Sequence, residues 1–313
     1  MSEISVQVPV RNGGEPFREF LKSLTFQDIE SSWELVIADD GSDIPVQTQF
    51  AGELEQFPDR CSVKVIRLEN CRCRPAARNA ALESSDAPVA LLMDGDLRFG
   101  SELLRRHLEV RRETGAHAVM GKRVNAWSHD STPWQRWMDS RAMGSSAKGP
   151  FPWNYFITGN LSVSSNLLVK AGMFDSEMTG YGGEDTEMGY RLSKLGAIFH
   201  WDPSLSVDHL DNVTVRKHSG KMIEYGNTGL RYTLKKHPEV RGLLGSRWVE
   251  NILAPPVTLA PVRIIVRLML LAPVYRAALR WAEIFGGPGF VMTYLSAGGC
   301  LEGLQGKDPL NGH

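Results

Sequence analysis

Cysteine is scarce in this chain: four residues, Cys61, Cys71, Cys73 and Cys300, among 313. Their spacing fits neither a dense disulfide framework nor a thiolate zinc site, so a reduced chain is expected and none of the four is given a role. Net charge is nearly absent too, at -1. The opening residues Met1-Ser2-Glu3-Ile4 carry no basic segment followed by an apolar core. No secretory leader is expected, and a cytoplasmic location is. Long apolar runs are also missing. Residues 262–271 and 274–285 fall short of the ~20 that span a bilayer, and the uncharged stretch 284–301 is broken near its start by Gly286-Gly287-Pro288-Gly289. A spanning helix is therefore not expected.

What the chain does have is material for a core. Hydrophobic residues make up 42% of it, enough for one large core or two modest ones, and nothing in the composition suggests disorder. The small net charge hides an asymmetry. Residues 1–212 hold 22 Lys and Arg against 30 Asp and Glu, whereas residues 213–313 hold 13 against 6. The C-terminal third is thus a basic surface, suited to an anionic partner.

Residues 5–10 form a strand-like run, and Pro16 opens a segment in which Phe17, Phe20, Leu21 and Leu24 recur at helical spacing. Strands are predicted at 33–38, 63–68 and 89–93, and a small-residue helix at 76–82. Ser101 is placed to cap the next helix, where Leu103, Leu104 and Leu108 share a face. Strands alternating with helices predict an α/β fold with a mostly parallel sheet covered on both sides. In such sheets ligands bind beyond the carboxyl ends of the strands, which here carry Asn12-Gly13-Gly14, Asp39-Asp40 and Asp94-Gly95-Asp96. These three should converge on one crevice.

Asp94 and Asp96, one residue apart at the end of the apolar run 89–93, have the chemistry to hold a divalent cation whose open positions take a diphosphate. A second acidic motif follows at Thr179-Gly-Tyr-Gly-Gly-Glu-Asp-Thr-Glu187, leading into a helix with Met188, Leu192 and Leu195 on one side and Gly196 as its stop. Glu184 and Asp185 fall in its first turn, where the helix dipole favours the anion. The flexible Gly182-Gly183 before them admits a close approach, so the pair could offer one carboxylate as general base and the other to hold an acceptor hydroxyl. Of two histidines near the same sheet edge, His209 is preferred as a metal ligand and His200 is the packed alternative. Oxygen and nitrogen donors suit Mn2+ or Mg2+.

Taken together, Val8-Pro9-Val10-Arg11-Asn12, Ala38-Asp39-Asp40-Gly41-Ser42, Pro75-Ala76-Ala77-Arg78-Asn79, Asp94-Gly95-Asp96 and Gly182-Gly183-Glu184-Asp185 resemble a family 2 glycosyltransferase, in order and spacing, over about the first 215 residues. The resemblance implies a GT-A fold and inverting transfer of a sugar from a nucleotide-diphosphate donor to an acceptor hydroxyl. It places Pro9 and Asp40 against the nucleobase and ribose with Asp39 beside them. Arg78 would approach the nucleotide or its phosphates, Asp94 would touch the ribose or a metal-bound water, and Asp96 would bind the metal with His209 as the distal ligand. Asp185 is the expected base and Glu184 helps to orient the acceptor. Asn160, after Gly159, resembles the family's donor-sugar segment. Arg11 replaces an aromatic residue common in the family, substituting a cationic contact for stacking. The segment Cys71-Arg-Cys-Arg-Pro75 is unusually basic and could offer Arg72 or Arg74 to phosphate or to solvent.

The expected organisation is a catalytic domain over 1–215, with a nucleotide-sugar half near 1–98 and an acceptor half near 99–215, followed by an amphipathic helical region over 216–313. Trp127, Trp134, Trp137, Trp153 and Tyr155 either floor an acceptor site or pack under a loop. Arg263 with Arg267, and Arg276 with Arg280, lie four apart on helical faces opposite apolar residues. Such helices fit a peripheral anionic membrane surface or, as the alternative, a packed subdomain or a second copy of the chain. Nucleic acid is not expected, because the basic residues alternate with an apolar face. Two rival functions are a sugar-phosphate nucleotidyltransferase, for which Asn12-Gly13-Gly14 is too short a loop, and a non-catalytic nucleotide-sugar or glycan-binding protein. The presence of both Asp96 and Asp185 argues against the latter.

Overall fold

The near-continuous apolar runs at Ile4–Val10 (β1), Trp33–Asp39 (β2) and Val89–Met93 (β4) become central strands covered on both faces, as parallel strands require. The computed structural model describes residues 2–70, 73–126, 132–141, 143, 146–211, 213–244, 268–307 and 310. Cys61–Arg67 (β3) has a more exposed pattern and takes the sheet edge. The remaining strands are Leu97–Arg98 (β5), Ala118–Asn125 (β6), Gly149–Pro150 (β7), Asn160–Ser164 (β8) and Phe199–His209 (β9). Their order is β3-β2-β1-β4-β8-β6-β9-β5, with β7 on β9.

The first four strands are parallel, as their alternation with helices predicted. Beyond β4 the sheet becomes mixed: β8 runs antiparallel to both β4 and β6, while β6 and β9 are parallel. The helix Gly14–Thr25 lays Phe17, Phe20, Leu21 and Leu24, all fully buried, on one side of the sheet. The helix Arg74–Glu83 brings Ala77 and Ala81 against Val36 and Ala38 on another cluster.

Two local expectations are corrected. Ser101 does not cap the helix Leu103–Thr114, whose N-cap is Glu102 with no side-chain cap bond. The amide of Leu104 instead donates to Gln27 Oε1 at 3.2 Å, so a distant residue satisfies the helix end. The helix Glu184–Lys194 stops before Leu195, which is exposed, and the chain turns through Gly196 at φ 75°.

The chain divides into two compact units. The first, Met1–Ser128, Asp139–Thr179 and Glu184–Asn212, contains the whole sheet. The second, His129–Met138, Gly180–Gly183 and Val213–His313, is helical. Its core joins Trp134, Val213, Val215, Tyr275, Leu279, Ala282, Met292 and Leu295. Within it, the helix Gly289–Leu304 meets the helix Val215–Tyr225 and the turn after it at glycines. A Cβ on Gly303 would lie 2.0 Å from the Ile223 carbonyl oxygen, and one on Gly226 2.1 Å from that of Cys300. Only glycine permits backbones this close. No helix among the described residues is long and apolar enough to cross a membrane. The expected helix over 262–271, with Arg263 and Arg267, lies mainly outside the described residues, as do Arg72 and Trp127. Of the other aromatic residues, Trp134 is buried in the helical core with its indole donating to the Val213 carbonyl, and Trp153 and Tyr155 pack on the second sheet cluster. All three take part in packing.

Candidate active site

The loops leaving β1 and β2 are tied together. Asn12, at φ 53°, donates from its amide to Ser42 Oγ and accepts from the Asp43 amide, both at 2.9 Å. Asp39 lies under this loop at 1% exposure. Its carboxylate accepts from the amides of Ser42 and Val46 and pairs with Arg67 at 2.7 Å. Burial alone would raise the Asp39 carboxyl, but these hydrogen bonds outweigh it and hold the group below its ordinary value. Asp39, expected beside the nucleobase and ribose contacts, is held in this loop by these bonds. Pro9 is half-buried on β1, Asp40 is buried beyond β2, and Arg11 is exposed past the end of β1. Gly95 fits because a Cβ there would press on Phe17 at 3.0 Å.

Arg78 joins the two acidic motifs. Buried in the helix Arg74–Glu83 at 4% side-chain exposure, it places Nη2 3.5 Å from Asp94 Oδ1. Its Nη1 lies 3.5 Å from Glu184 Oε1 and 3.6 Å from Asp185 Oδ1. Residues 94 and 185, far apart in sequence, thus share one guanidinium. Glu184 is buried, and that burial, together with its Asp185 neighbour, raises its carboxyl above the ordinary value against the pull of Arg78. Asp185 is more open, at 19% side-chain exposure. Thr158 holds it: the Thr158 amide donates to Oδ2 at 3.0 Å, and the hydroxyl lies 2.9 and 3.0 Å from the two carboxylate oxygens.

The polarity around His209 follows from its partners. Asp139 accepts from Asn125 Nδ2, which turns Asn125 Oδ1 toward His209 Nδ1 at 3.2 Å. With Nδ1 carrying the proton, Nε2 presents a lone pair to Asp96 Oδ2 at 3.3 Å. Asp96 Oδ1 is buried and has no hydrogen-bond partner among the described residues. Burial acts to raise the Asp96 carboxyl and the Arg123 charge acts to lower it. Two acceptors face to face with an unpartnered carboxylate oxygen fit a hard divalent cation. Among the described residues no three His, Cys, Asp or Glu side chains form such a cluster. A cation held by Asp96 and His209 would thus take its other ligands from donor oxygens or water.

The alternative, His200, is nine residues away along β9, on the order of 30 Å at 3.3 Å per strand residue. Asn160, expected in a donor-sugar segment, opens β8. It is 1% exposed, and its amide donates to the Leu205 carbonyl at 2.8 Å while its oxygen meets His107 Nε2 at 3.0 Å. Its side chain supports the sheet from within. Burial pushes His107, which also touches Ser162, down to about 4. Arg123 and Thr158 were missed by the sequence reading. Arg123 Nη1 lies 2.9 Å from Asp94 Oδ2, and a cation next to Lys122 within a strand carries no distinguishing pattern. Thr158 directly precedes Gly159-Asn160, which was the one available signal.

Comparison with known proteins places these features in a family. The profile described as Glycosyl transferase family 2 matches residues 5–171. A Bacillus subtilis protein named as the uncharacterized glycosyltransferase YfnE is 22% identical over 288 residues, covering 76% of this chain and 71% of that protein. Chondroitin synthase of Pasteurella multocida is 24% identical, covering 63% of this chain and 23% of that enzyme. This chain therefore corresponds to only part of that synthase. Among solved structures, a mannosyltransferase from Pyrobaculum calidifontis in complex with GDP-Man and Mn2+ superposes with a TM-score of 0.66 at 18% identity. That match covers 98% of this chain and 88% of that one. It establishes a shared fold.

Proposed function

The chain belongs to glycosyl transferase family 2, and from that premise we propose that it is a metal-dependent, inverting glycosyltransferase acting on a nucleotide-diphosphate sugar. The observation that carries the proposal is Arg78, whose single guanidinium spans Asp94 of one acidic motif and Glu184 and Asp185 of the other. A donor-side carboxylate and an acceptor-side pair thus meet around one buried charge.

In this reading Asp185, held by Thr158 and partly open, takes the proton of the acceptor hydroxyl, and Glu184 orients that hydroxyl. Pro9, Asp40 and Arg11 face the nucleobase and ribose, and Asp94 approaches the ribose and phosphates. Asp96 and His209 would hold Mn2+ or Mg2+, which when bound supplies charge neutralisation to the diphosphate. Asp39 and Asn160 act from below, shaping the loop and the sheet that carry these groups. The acceptor would be a glycan, on a lipid carrier or a cell-envelope polysaccharide. The test is transfer and hydrolysis of UDP-, GDP- and dTDP-sugars with Mn2+. Asp185→Asn should bind donor as before yet lose at least about 100-fold in turnover, and unchanged turnover would remove it as the base.

One observation favours a second element of this reading, a peripheral location on an anionic membrane. On the helix Ala272–Phe285 and just after it, Val274, Trp281, Ile284, Phe285 and Phe290 are all exposed, with Arg276 and Arg280 exposed beside them. Apolar rings flanked by arginines suit an acidic headgroup layer. Flotation with phosphatidylglycerol vesicles, lost in a Trp281→Glu, Phe285→Glu variant, would support it. Indifference of the intact protein to vesicles would refute it.

A further inference from the structure

Arg123 comes from β6, beside the strand that delivers His209. In the β6–β9 register Arg123 pairs with Val207 and Asn125 with His209. Alternate residues share one face of a strand, so Arg123 and Asn125 line the same side of the site. One reaches Asp94 at 2.9 Å and the other reaches His209 at 3.2 Å.

The two guanidiniums on Asp94 differ in their commitments. Arg78 is 4% exposed and shared with Glu184 and Asp185. Arg123 keeps 37% of its side chain open to solvent. Gly159, at φ 110°, explains why it stays accessible. A Cβ there would lie 2.6 Å from Asp94 Oδ2 and 3.0 Å from Arg123 Nη1, wedging into the pair. The missing side chain leaves the guanidinium edge uncovered.

We infer that Arg123 is the residue that binds the β-phosphate of the donor and takes up the charge of the departing nucleoside diphosphate; this rests on the glycosyltransferase reading above. In the transfer, the bond between sugar C1 and the β-phosphate oxygen breaks with both electrons going to that oxygen. The acceptor oxygen bonds to C1 and its proton passes to Asp185. The developing charge falls on the diphosphate, beside Asp94 and Asp96, where two carboxylates alone would oppose it. A diphosphate carries more charge and more acceptor oxygens than Asp94, and a planar guanidinium pairs with phosphate through parallel N–H bonds. Arg123 can therefore exchange Asp94 for phosphate while Arg78 stays with the acceptor-side acids.

Titration calorimetry of the intact protein with UDP, GDP and dTDP and the matching monophosphates, in Mn2+, tests this. The wild type should prefer its diphosphate over the monophosphate. Arg123→Met should lose that preference by about tenfold or more with monophosphate binding little changed, and kcat should fall about 100-fold. Arg123→Lys, which keeps the charge and guards against misfolding of the first variant, should recover part of both. Diphosphate binding and turnover at wild-type levels in Arg123→Met would overturn the inference. If the wild type binds none of the three diphosphates, the donor reading itself fails and takes the inference with it.

Discussion

Replacing Arg78 by methionine should destabilise the fold in a pH-dependent manner. Methionine fills much the same volume without the charge, leaving Glu184 buried beside Asp185. At an effective dielectric near 20, each contact at these distances is worth about 5 kcal/mol before desolvation and screening. Desolvation removes much of that, and breaking a buried pair typically costs about 3–5 kcal/mol, which is the expected loss here. Glu184 already titrates above its ordinary 4.5 because of burial and Asp185, and without the guanidinium it should rise further. The folded variant then binds more protons than the unfolded chain above pH 4.5. Its stability relative to wild type should therefore fall as pH rises and recover as pH drops toward 5. Urea unfolding of both proteins at pH 5 and pH 8 measures this, and adding Glu184→Gln to Arg78→Met should restore more than half of the loss at pH 8. A deficit under about 1 kcal/mol that ignores both pH and the second substitution would refute the reasoning.

Asn125→Ala should weaken Mn2+ binding about 10- to 100-fold, because the His209 tautomer loses its orienting partner. Calorimetry with Mn2+ and a nucleoside diphosphate reads it directly, and equal affinity would contradict the proton assignment. His107, fully buried and depressed from 6.5 to about 4, is neutral in the fold. Its contribution is complete above pH 6.5 and is lost as pH falls toward 4. Between pH 7 and pH 5 the wild type should lose about 2 kcal/mol more than His107→Gln, and parallel urea curves for the two would count against it.

Much of the sheet-containing unit was legible because its information is local. The apolar runs of β1, β2 and β4, the acids at their ends and the helical stripe from Phe17 to Leu24 need only period and neighbours to be read. What escaped depends on chain reversal. Arg123 and Thr158 reach the acids only because β8 and β6 extend the sheet beyond β4. No spacing rule connects position 158 to 185 or 123 to 94. The cap on the helix Leu103–Thr114 failed for the same reason, since Gln27 arrives from another element. Asp39 ends β2 and Asn160 begins β8. Which way a short polar side chain turns, outward to a ligand or inward to a network, is decided by neighbours that the sequence does not reveal.

The residues Gly180–Gly183 belong to the helical unit, although the next residue, Glu184, belongs to the sheet unit. They stay there by touching backbone to backbone: a Cβ on Gly229 would sit 1.8 Å from the Gly182 carbonyl oxygen, and one on Gly183 2.9 Å from the Gly229 carbonyl carbon. A truncation that removes Gly229 therefore takes away the backbone on which Gly182 and Gly183 rest, so shortening the chain inside this unit disturbs residues far upstream of the cut.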